Sequence, residues 1–414
     1  MLSRPKLLVF TILFPSQTRP NAGLFIKARM FRVAKELPVT VVCPVPWFPL
    51  QGLIRLLKPH FRPKSPKFEM QDGIEVYYPR YFSVPGLFKK LDGFFIFLGS
   101  YFLVKRLHKN KKFDLIDAHF AYPDGYAASF LARSVACPFT ITLRGTEVPH
   151  AKTNKLPLMI KALNAATHIF SVSNSLKEHA VGFGISPNKI SVVGNGVDLE
   201  KFSPQDRESC RQSLGLSKSD QILISVGGLV ERKGFHRVIE VLPQVRNDHP
   251  NLKFLIVGGG SPEGSMESQL QEQVKALGLE KAVHFLGPKR PEELKFILSA
   301  ADVFVLATSN EGWANVFLEA MACGLPVVTT KVGGNAEVVS NSDLGLLVEF
   351  GDKAALATAI IKALNTKWDE KGILDYAKNN SWDSRVTTLV SKFEEIYSDS
   401  QSLTREALKE QKTI

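Results

Sequence analysis

Two adjacent cations, Arg232 and Lys233, follow a pair of glycines in the stretch 227–234. Glycines at the end of a strand let a ligand approach the backbone, and the two cations offer a diphosphate a planar fork and a point charge. An Arg-Lys pair on a loop is more often simply solvated. Here the pair follows an apolar run, 222–226, that is typical of a buried strand, so its position favours an anion-binding loop.

Two glutamates, Glu311 and Glu319, frame the start of a predicted helix that begins near Asn315 and ends at Gly324, before Pro326. Free N–H groups and the helix dipole favour a phosphate at its N-terminus. The glutamates would stand about 12 Å apart if the spacing were wholly helical, which suits hydroxyls at the two ends of a nucleotide sugar. A surface position is the alternative for Glu319, but its apolar neighbours would make an unpaired carboxylate there costly.

The elements that must position these side chains alternate between apolar, β-branched runs and segments of helical period, which indicates βα units on parallel sheets. Strands are predicted at 7–14, 39–43, 115–119, 139–143, 168–172, 189–193, 222–226, 253–257, 283–286, 303–306 and 326–329. Two sheets are favoured over a single one. The predicted fold class is α/β, with two doubly wound, Rossmann-like domains facing each other across a cleft, where open α/β folds bind ligands.

Composition and charge exclude several classes of protein. The 414 residues are 44% hydrophobic and 22% charged, and the four cysteines lie far apart without a CxxC pair, so neither a zinc cluster nor a disulfide framework is indicated. A reducing cytoplasm fits. Residues 1–190 carry 27 Lys and Arg against 10 Asp and Glu, whereas the remainder carries 25 against 30. The basic half indicates attraction to an anionic surface; ordinary solvated lysines are the alternative.

The most apolar segment, 94–104, is well short of the roughly 20 residues that cross a bilayer. Lys89, Lys90, Lys105 and Arg106 flank it, and basic, aromatic-rich segments of this kind can lie on anionic lipid. A buried helix with solvated ends is an equal alternative. The run 6–14 is followed by Pro15 rather than by a small-residue cleavage site, so it is expected to be a first strand and not a signal peptide.

Together, these motifs resemble a known family. The Glu311-x7-Glu319 pair within 311–328 is similar to the signature of retaining glycosyltransferases of family 4, which have the GT-B fold. Other sequence motifs of the family are matched in their order along the chain, at 14–15 with 21–25, at 195–198, and at 227–228 with 232–234. The resemblance runs from about residue 6 to 397. The opening is most similar to bacterial enzymes of cell-surface polysaccharide assembly, such as the teichuronic acid glycosyltransferases.

The resemblance implies roles for individual residues. Arg232 and Lys233 match the pair that neutralises the donor diphosphate, Glu319 the ribose-binding glutamate, and Glu311 the one near the sugar 3- and 4-hydroxyls. His119 matches a histidine near the reacting sugar. The implied catalytic residues are Arg232, Lys233, Glu311 and His119; the donor-binding residues are Gly23, Gly228, Arg232, Lys233, Glu311, Asn315, Val316 and Glu319; and the acceptor side has His119, Arg144 and Glu147.

The family also implies a domain order. Residues 1–194 are expected to bind the acceptor and 195–380 the nucleotide diphosphate sugar, while 381–400 form a helix that crosses back and 401–414 a tail. The boundary falls where 194–198 is turn-rich and the charge balance changes sign. The basic first half suggests a lipid-linked glycan acceptor and an anionic membrane surface, on the inner face of the cytoplasmic membrane.

The chain departs from the commonest family pattern at 144–147, where Arg-Gly-Thr-Glu stands in place of His-Gly-Ser/Thr-Asp, and this wall could bind a more anionic group. Trp313 and Ala314 also differ beside the sugar. Hexose transfer with retention is expected by front-face substitution, with no cofactor and no metal, because the cations stabilise the leaving diphosphate and the chain has no Asp-x-Asp motif.

Three rival functions stay open. In a dinucleotide-dependent oxidoreductase, Gly258-x-Gly260 would need a small residue at 263, where the chain has Glu263. A nucleotide-sugar epimerase of GT-B fold would need no acceptor. A catalytically silent nucleotide-sugar-binding protein is disfavoured because all the charged donor-site positions are present. No motif supports nucleic-acid binding.

Overall fold

The computed structural model describes residues 4–58, 61–261 and 263–410. The chain forms two compact units: one runs to Gly194 and includes the chain from Arg385 onward, and the other spans Asn195–Ser384. Each unit is a parallel α/β fold with its own sheet. The predicted α/β class with two doubly wound domains is therefore confirmed.

The first unit holds an eight-stranded sheet in the order β10-β9-β8-β7-β1-β2-β5-β4, parallel except for the antiparallel pair β4–β5, and a small parallel pair of β3 with β6. Its strands are β1 Leu7–Phe10, β2 Val39–Val42, β3 Val45–Trp47, β4 Phe68–Gln71, β5 Ile74–Tyr77, β6 Arg80–Phe82, β7 Leu115–His119, β8 Phe139–Leu143, β9 His168–Ser171 and β10 Ile190–Val192. Its helices are α1 Leu24–Val33, α2 Gln51–Leu57, α3 Asp92–Lys111, α4 Tyr126–Val135, α5 Glu147–Ala151, α6 Leu156–Ala165 and α7 Asn174–Val181.

The second unit holds a six-stranded, all-parallel sheet in the order β13-β12-β11-β14-β15-β16. Its strands are β11 Gln221–Val226, β12 Leu252–Val257, β13 Val283–Gly287, β14 Val303–Leu306, β15 Val327–Thr330 and β16 Gly345–Val348. Its helices are α8 Arg207–Ser213, α9 Phe235–Asp248, α10 Glu267–Ala276, α11 Pro291–Ala300, α12 Asn315–Met321, α13 Asn335–Val338, α14 Lys353–Asn365 and α15 Glu370–Asn379, followed by α16 Trp382–Glu410.

The last helix, α16, supplies apolar side chains to the core of the first unit. Leu389 and Phe393 are buried there, and the Phe393 ring lies 5.3 Å from that of Phe170 on β9, centroid to centroid. The predicted helix end at residue 400 is wrong, because α16 runs to Glu410; residues 401–410 are mostly good helix formers. Residues 411–414 of the predicted tail lie outside the described residues.

Each main sheet changes direction of strand order at one point. In the first unit β1 lies between β2 and β7, and in the second β11 lies between β12 and β14. The loops that leave the carboxyl ends of such neighbouring strands diverge to opposite faces, which opens the crevice where α/β folds bind ligands. The loops after β1 and β7, and those after β11 and β14, are therefore the places for functional residues.

Candidate active site

In the second unit, the loop that carries Arg232 is fixed against the loop after β14. The backbone oxygen of Arg232 accepts hydrogen bonds from Thr308 Oγ1 and from the backbone N–H of Ser309, both at 2.8 Å. Gly234 has a φ of +77°, and a Cβ added there would lie 1.9 Å from the backbone oxygen of Ala307. Only glycine permits this contact, which holds the two loops at the switch point together.

Glu311 lies at the centre of this arrangement and is 9% exposed. Its Oε1 accepts hydrogen bonds from Lys233 Nζ and from Arg232 Nη1, the latter at 3.3 Å. Its backbone oxygen accepts from Gly334 N–H at 3.1 Å, which ties it to the loop after β15. One carboxylate thus holds both cations that the sequence predicted to act together.

Arg232 makes a second, bidentate ion pair with Glu263, a residue that sequence reasoning did not assign to the site. Its Nε and Nη2 donate to the two carboxylate oxygens of Glu263 at 2.7 and 2.8 Å. This hydrogen bond raises the pKa of Arg232 and lowers that of Glu263. The signal in the sequence was weak, since a lone glutamate in a glycine-rich loop is ordinarily solvated.

Helix α12 brings Glu319 into the same region. The helix begins at Asn315 as predicted but ends at Met321, not at Gly324, because the chain turns at Ala322 and Gly324 takes a φ of +85°. Burial raises the pKa of Glu319 to about 7, and the charge of Lys233 partly opposes that shift.

The first turn of α12 is tied to the start of the unit. Asn315 Oδ1 accepts a hydrogen bond from Asn195 Nδ2 at 2.9 Å, and Val316, the other residue predicted here, is partly buried. The motif at 195–198 therefore braces the helix that bears Glu319. Gly196 allows this segment to pass close to the backbone of Trp382, since a Cβ there would lie 2.4 Å from its nitrogen.

In the first unit, His119 ends β7 and is fully buried. Its Nδ1 accepts from Arg144 Nε and Nη2, at 3.2 and 3.1 Å, so the ring proton belongs on Nε2, which lies 3.5 Å from Asp117 Oδ2. Burial, together with the charges of Arg144 and Arg29, lowers the pKa of His119 well below its ordinary value. The imidazole is therefore neutral and offers an N–H donor rather than a base.

Glu147 connects the ends of β7 and β8. Its Oε1 accepts from the backbone N–H of Ala121 at 3.1 Å, and its Oε2 accepts from those of Arg144 and Gly145, at 3.1 and 2.8 Å. Asp124 makes a similar connection to the loop after β1, where its Oδ2 accepts from the N–H of Ile12 at 3.0 Å. These two buried carboxylates fix the backbone at the switch point.

Gly23 immediately precedes α1 and has a φ of +66°, and a Cβ there would lie 2.3 Å from the backbone oxygen of Leu13. The residue thus holds the start of α1 against the loop after β1. The Arg144 guanidinium lies over the ring of Phe25, in the first turn of α1, at 5.0 Å from its centroid. Gly23 and His119 therefore lie at the switch point between β1 and β7, and Arg144, on the loop after β8, contacts His119 and Phe25 beside it.

Family models match both halves of the chain. Residues 39–201 match the model described as Glycosyltransferase Family 4, and residues 206–380 match Glycosyl transferases group 1. A Bacillus subtilis (strain 168) protein named as a teichuronic acid biosynthesis glycosyltransferase, TuaC, is 31% identical over 86% of this chain and 88% of its own length. The chain belongs to glycosyltransferase family 4.

Solved structures agree with the GT-B fold of this glycosyltransferase. HepE of Anabaena in complex with UDP superposes with a TM-score of 0.64 at 21% identity, over 98% of this chain and all of its own. Sucrose-phosphate synthase from Thermosynechococcus elongatus gives a TM-score of 0.71 at 22% identity, over 98% of this chain and 100% of its own.

The glycine run that suggested an oxidoreductase has a packing role in the glycosyltransferase. A Cβ on Gly258 would lie 1.8 Å from the backbone oxygen of Gly227, so the ends of β11 and β12 meet in direct backbone contact. Gly228 lies beside this contact, with Ser261 as its nearest neighbour. The family assignment replaces the oxidoreductase alternative.

The structure brings some predicted residues together within each unit. In the second unit Arg232, Lys233 and Glu311 are in contact, and Glu319 is close enough to Lys233 for their charges to interact. In the first, His119 contacts Arg144. Sequence reasoning missed Asp117, Asp124, Thr308 and Glu263; a charged residue inside the apolar run 115–119 was a signal for Asp117.

Within residues 4–58, 61–261 and 263–410, no group of three or more His, Cys, Asp or Glu side chains is arranged to hold a metal ion. No helix in that part of the chain is both long and apolar enough to span a membrane.

Proposed function

We propose that this glycosyltransferase moves a hexose-type sugar, with retention, from a nucleotide diphosphate sugar to a lipid-linked glycan acceptor in cell-surface polysaccharide synthesis. The observation that carries the proposal is the group of Arg232, Lys233 and Glu311 at the switch point of the second unit. Two adjacent cations beside a carboxylate suit a diphosphate followed by a polyhydroxylated sugar.

The second unit is the donor-binding unit in this proposal. Arg232 and Lys233 bind the diphosphate, Glu311 accepts from sugar hydroxyls, and Glu319 accepts from the ribose. Gly228, Asn315 and Val316 contribute backbone around the donor. A nucleotide sugar as the donor class is supported by the solved structures of HepE in complex with UDP and with UDP-glucose.

The chemical step is a front-face substitution. The bond from the anomeric carbon to the phosphate oxygen breaks, and its electron pair goes to the leaving diphosphate, where Arg232 and Lys233 stabilise the growing charge. The acceptor oxygen bonds to the same face of that carbon, and its proton goes to the leaving phosphate oxygen. His119 has its Nδ1 occupied by Arg144 and its ring proton on Nε2, so it takes no proton in this step. Arg232 and Lys233 stabilise the leaving diphosphate without a metal ion in this proposal.

The first unit is the acceptor-binding unit in this proposal, with His119, Arg144 and Glu147 on the acceptor side. The name of the Bacillus subtilis relative supports a polysaccharide of the cell surface as the product class. The Arg144 guanidinium, in place of the commoner histidine, suits an anionic group on the acceptor.

An exposed apolar surface on the first unit supports a membrane-bound acceptor. On α3 one face, with Ile96, Ser100 and Val104, is buried, whereas Phe94, Leu98 and Phe102 form an exposed stripe, and Phe102 is 81% exposed. The two alternatives for 94–104 therefore describe opposite faces of one helix. The apolar-basic surface comprises Leu50, Leu53, Leu56, Leu57, Lys58, Phe82, Leu87, Phe88, Lys89, Lys90, Phe94, Leu98, Phe102, Lys105 and Arg106.

Hydrogen bonds join the segments that carry the apolar-basic surface. Arg55 of α2 donates to the backbone oxygen of Arg62, and Arg62 in turn donates to that of Ser83. Lys89 Nζ donates to Ser83 Oγ at 3.0 Å, which carries the surface on to α3. Exposed leucine and phenylalanine ringed by cations complements an anionic lipid bilayer, where each basic group contributes about 1 kcal/mol.

The donor proposal is tested by thermal stabilisation with a panel of nucleoside diphosphates and nucleotide sugars. A shift with one uridine or guanosine nucleotide is expected in the parent and in a Lys275→Ala, Lys281→Ala control, whose lysines are exposed on the same unit. The shift should be lost in Arg232→Ala, Lys233→Ala. No shift with any ligand, or an equal shift in both variants, would contradict the donor site.

The membrane proposal is tested by co-sedimentation with anionic vesicles at low salt. Binding should fall when Lys89, Lys90, Lys105 and Arg106 are changed to Gln. It should persist when Lys35, Arg133, Lys152 and Lys161, exposed elsewhere on the first unit, are changed in the same way. Equal loss in both variants would mean that net charge alone drives binding, and no binding by the parent would remove the proposal.

A further inference from the structure

Three of the five N–H groups of the Arg232 guanidinium are bonded to carboxylates. Its Nε and Nη2 face Glu263, and its Nη1 faces Glu311. With Lys233 also bonded to Glu311, the four side chains form a group of two positive and two negative charges. A diphosphate that approaches this group therefore meets no uncompensated cation, and a phosphate can bond to the N–H groups that face Glu263 or Glu311 only after that carboxylate has left.

The backbone of Arg232 does not take part in such an exchange. It is held by the hydrogen bonds from Thr308 and Ser309 and by the close contact of Gly234 with Ala307. Only the guanidinium can change partner. The exchange is therefore a side-chain movement on a fixed loop, which needs little reorganisation.

The two carboxylates differ in how readily they can leave. Glu311 is 9% exposed and tied to both cations, whereas the side chain of Glu263 is 51% exposed and contacts Arg232. Glu263 lies in a tight turn in which Ser261 and Gly264 exchange backbone hydrogen bonds at 2.8 and 2.9 Å. Released into water, Glu263 is resolvated at little cost, so it is the carboxylate that a phosphate displaces.

We propose that Glu263 is an internal competitor for the donor diphosphate: it occupies Arg232 in the free enzyme, gives way to phosphate on donor binding, and re-forms its pair as the nucleoside diphosphate leaves. The proposal rests on the donor site proposed above. Glu263 thereby weakens the binding of both donor and product and favours product release.

The test is calorimetric titration with UDP, GDP and inorganic pyrophosphate, since pyrophosphate isolates the diphosphate contact. Glu263→Gln keeps the shape of the side chain and removes its charge. An exposed ion pair is worth up to about 1 kcal/mol, and a like charge near the ligand is removed as well, so binding should tighten roughly threefold to tenfold. Glu208→Gln removes one charge from the exposed pair of Glu208 with Lys218 in the same unit, and should leave binding unchanged.

A double-mutant cycle with Arg232→Ala identifies the cause. If Glu263 competes for Arg232, most of the gain from Glu263→Gln disappears when Arg232 is absent. Equal or weaker binding by Glu263→Gln would overturn the proposal, because Glu263 would then position Arg232 for the ligand. An equal gain without Arg232 would overturn it too. If the parent binds none of the three probes, the donor site itself is refuted.

Discussion

The carboxylate of Glu147 should be the most sensitive single side chain in the first unit, because three backbone N–H groups depend on it. It is 3% exposed, and it joins Ala121 to Arg144 and Gly145. In Glu147→Gln, the amide oxygen can take over the two bonds at the Oε2 position, and the NH2 group then faces the N–H of Ala121. The N–H of Ala121 and the new NH2 group then face each other without an acceptor, which costs about 2 kcal/mol.

Glu147→Ala removes all three bonds and leaves a small cavity, so a loss of about 3–5 kcal/mol is expected. The two units need not unfold together, so thermal unfolding should be followed with a signal from the first unit. A loss of 1 kcal/mol in stability lowers Tm by about 2–4 °C, so Glu147→Gln should lower Tm by roughly 4–8 °C and Glu147→Ala by more. Glu178→Gln, exposed on α7 of the same unit, is the control and should change stability by under about 0.5 kcal/mol.

Local hydrogen exchange separates this mechanism from a general loss of stability. The amides of Ala121, Arg144 and Gly145 should lose protection in Glu147→Gln before the rest of β7 and β8 does. Nucleotide binding by the second unit should stay at the parent level, while transfer falls. If both variants matched the parent in Tm, or if these amides kept their protection, the carboxylate would not be what fixes the loops.

Three further outcomes are expected. The pKa of Glu319 is raised from 4.5 to about 7, so the folded state holds its proton more tightly and stability falls as pH rises through that interval. In urea unfolding, Glu319→Gln should abolish this pH dependence and be up to about 3 kcal/mol more stable than the parent at pH 8. Parallel stability–pH curves for the two proteins would contradict this prediction. Nitrogen NMR should show His119 as the neutral Nε2–H tautomer from about pH 6 to 8. In Arg144→Met, the pKa of His119 should move back toward its ordinary value. An imidazolium at pH 6 in the parent would refute the assignment. Gly234→Ala should lower the free energy of unfolding by about 3 kcal/mol and remove most diphosphate binding. Gly278 has a φ of +64° but open space around it, so Gly278→Ala should lower the free energy of unfolding by only about 1 kcal/mol. Equal losses in the two variants would show that the contact with Ala307 is unimportant.

Buried strands could be predicted from the sequence because they are continuous apolar runs. All eleven predicted strands are present, with ends that differ by a few residues; the run 7–14, for example, leaves the sheet after Phe10. The strands that were missed, β3 to β6 and β16, are three or four residues long, and each of them mixes buried positions with partly or fully exposed ones. A short, partly polar strand has no periodicity that distinguishes it from a loop.

The predicted donor residues could be found because family motifs mark them, but their ion pairs could not. Glu263 is separated from Arg232 by 31 positions, and only the packing of the turn at Ser261 and Gly264 beside Gly228 brings it there. Asp117 lies within an apolar run, which shows that its carboxyl group has a partner without naming that partner. Asp124 lies in the Pro-Asp-Gly sequence at 123–125, where an aspartate is ordinary, so its bond to Ile12 could not be foreseen. Contacts of this kind depend on strand order, which short-range patterns do not contain.

Charged side chains are used differently at the two switch points. In the first unit, the buried carboxylate of Glu147 binds backbone N–H groups, and Arg144 binds the imidazole of His119, so these charges hold the loops in place. In the second, the backbone is held by a glycine contact and by neutral hydrogen bonds, and the charged side chains pair with one another. Charges that hold loops cannot change partners without loosening them, whereas paired charges on a fixed backbone can. Exchange of an anionic ligand is therefore expected at Arg232 and Lys233, and a rigid polar wall at His119 and Glu147.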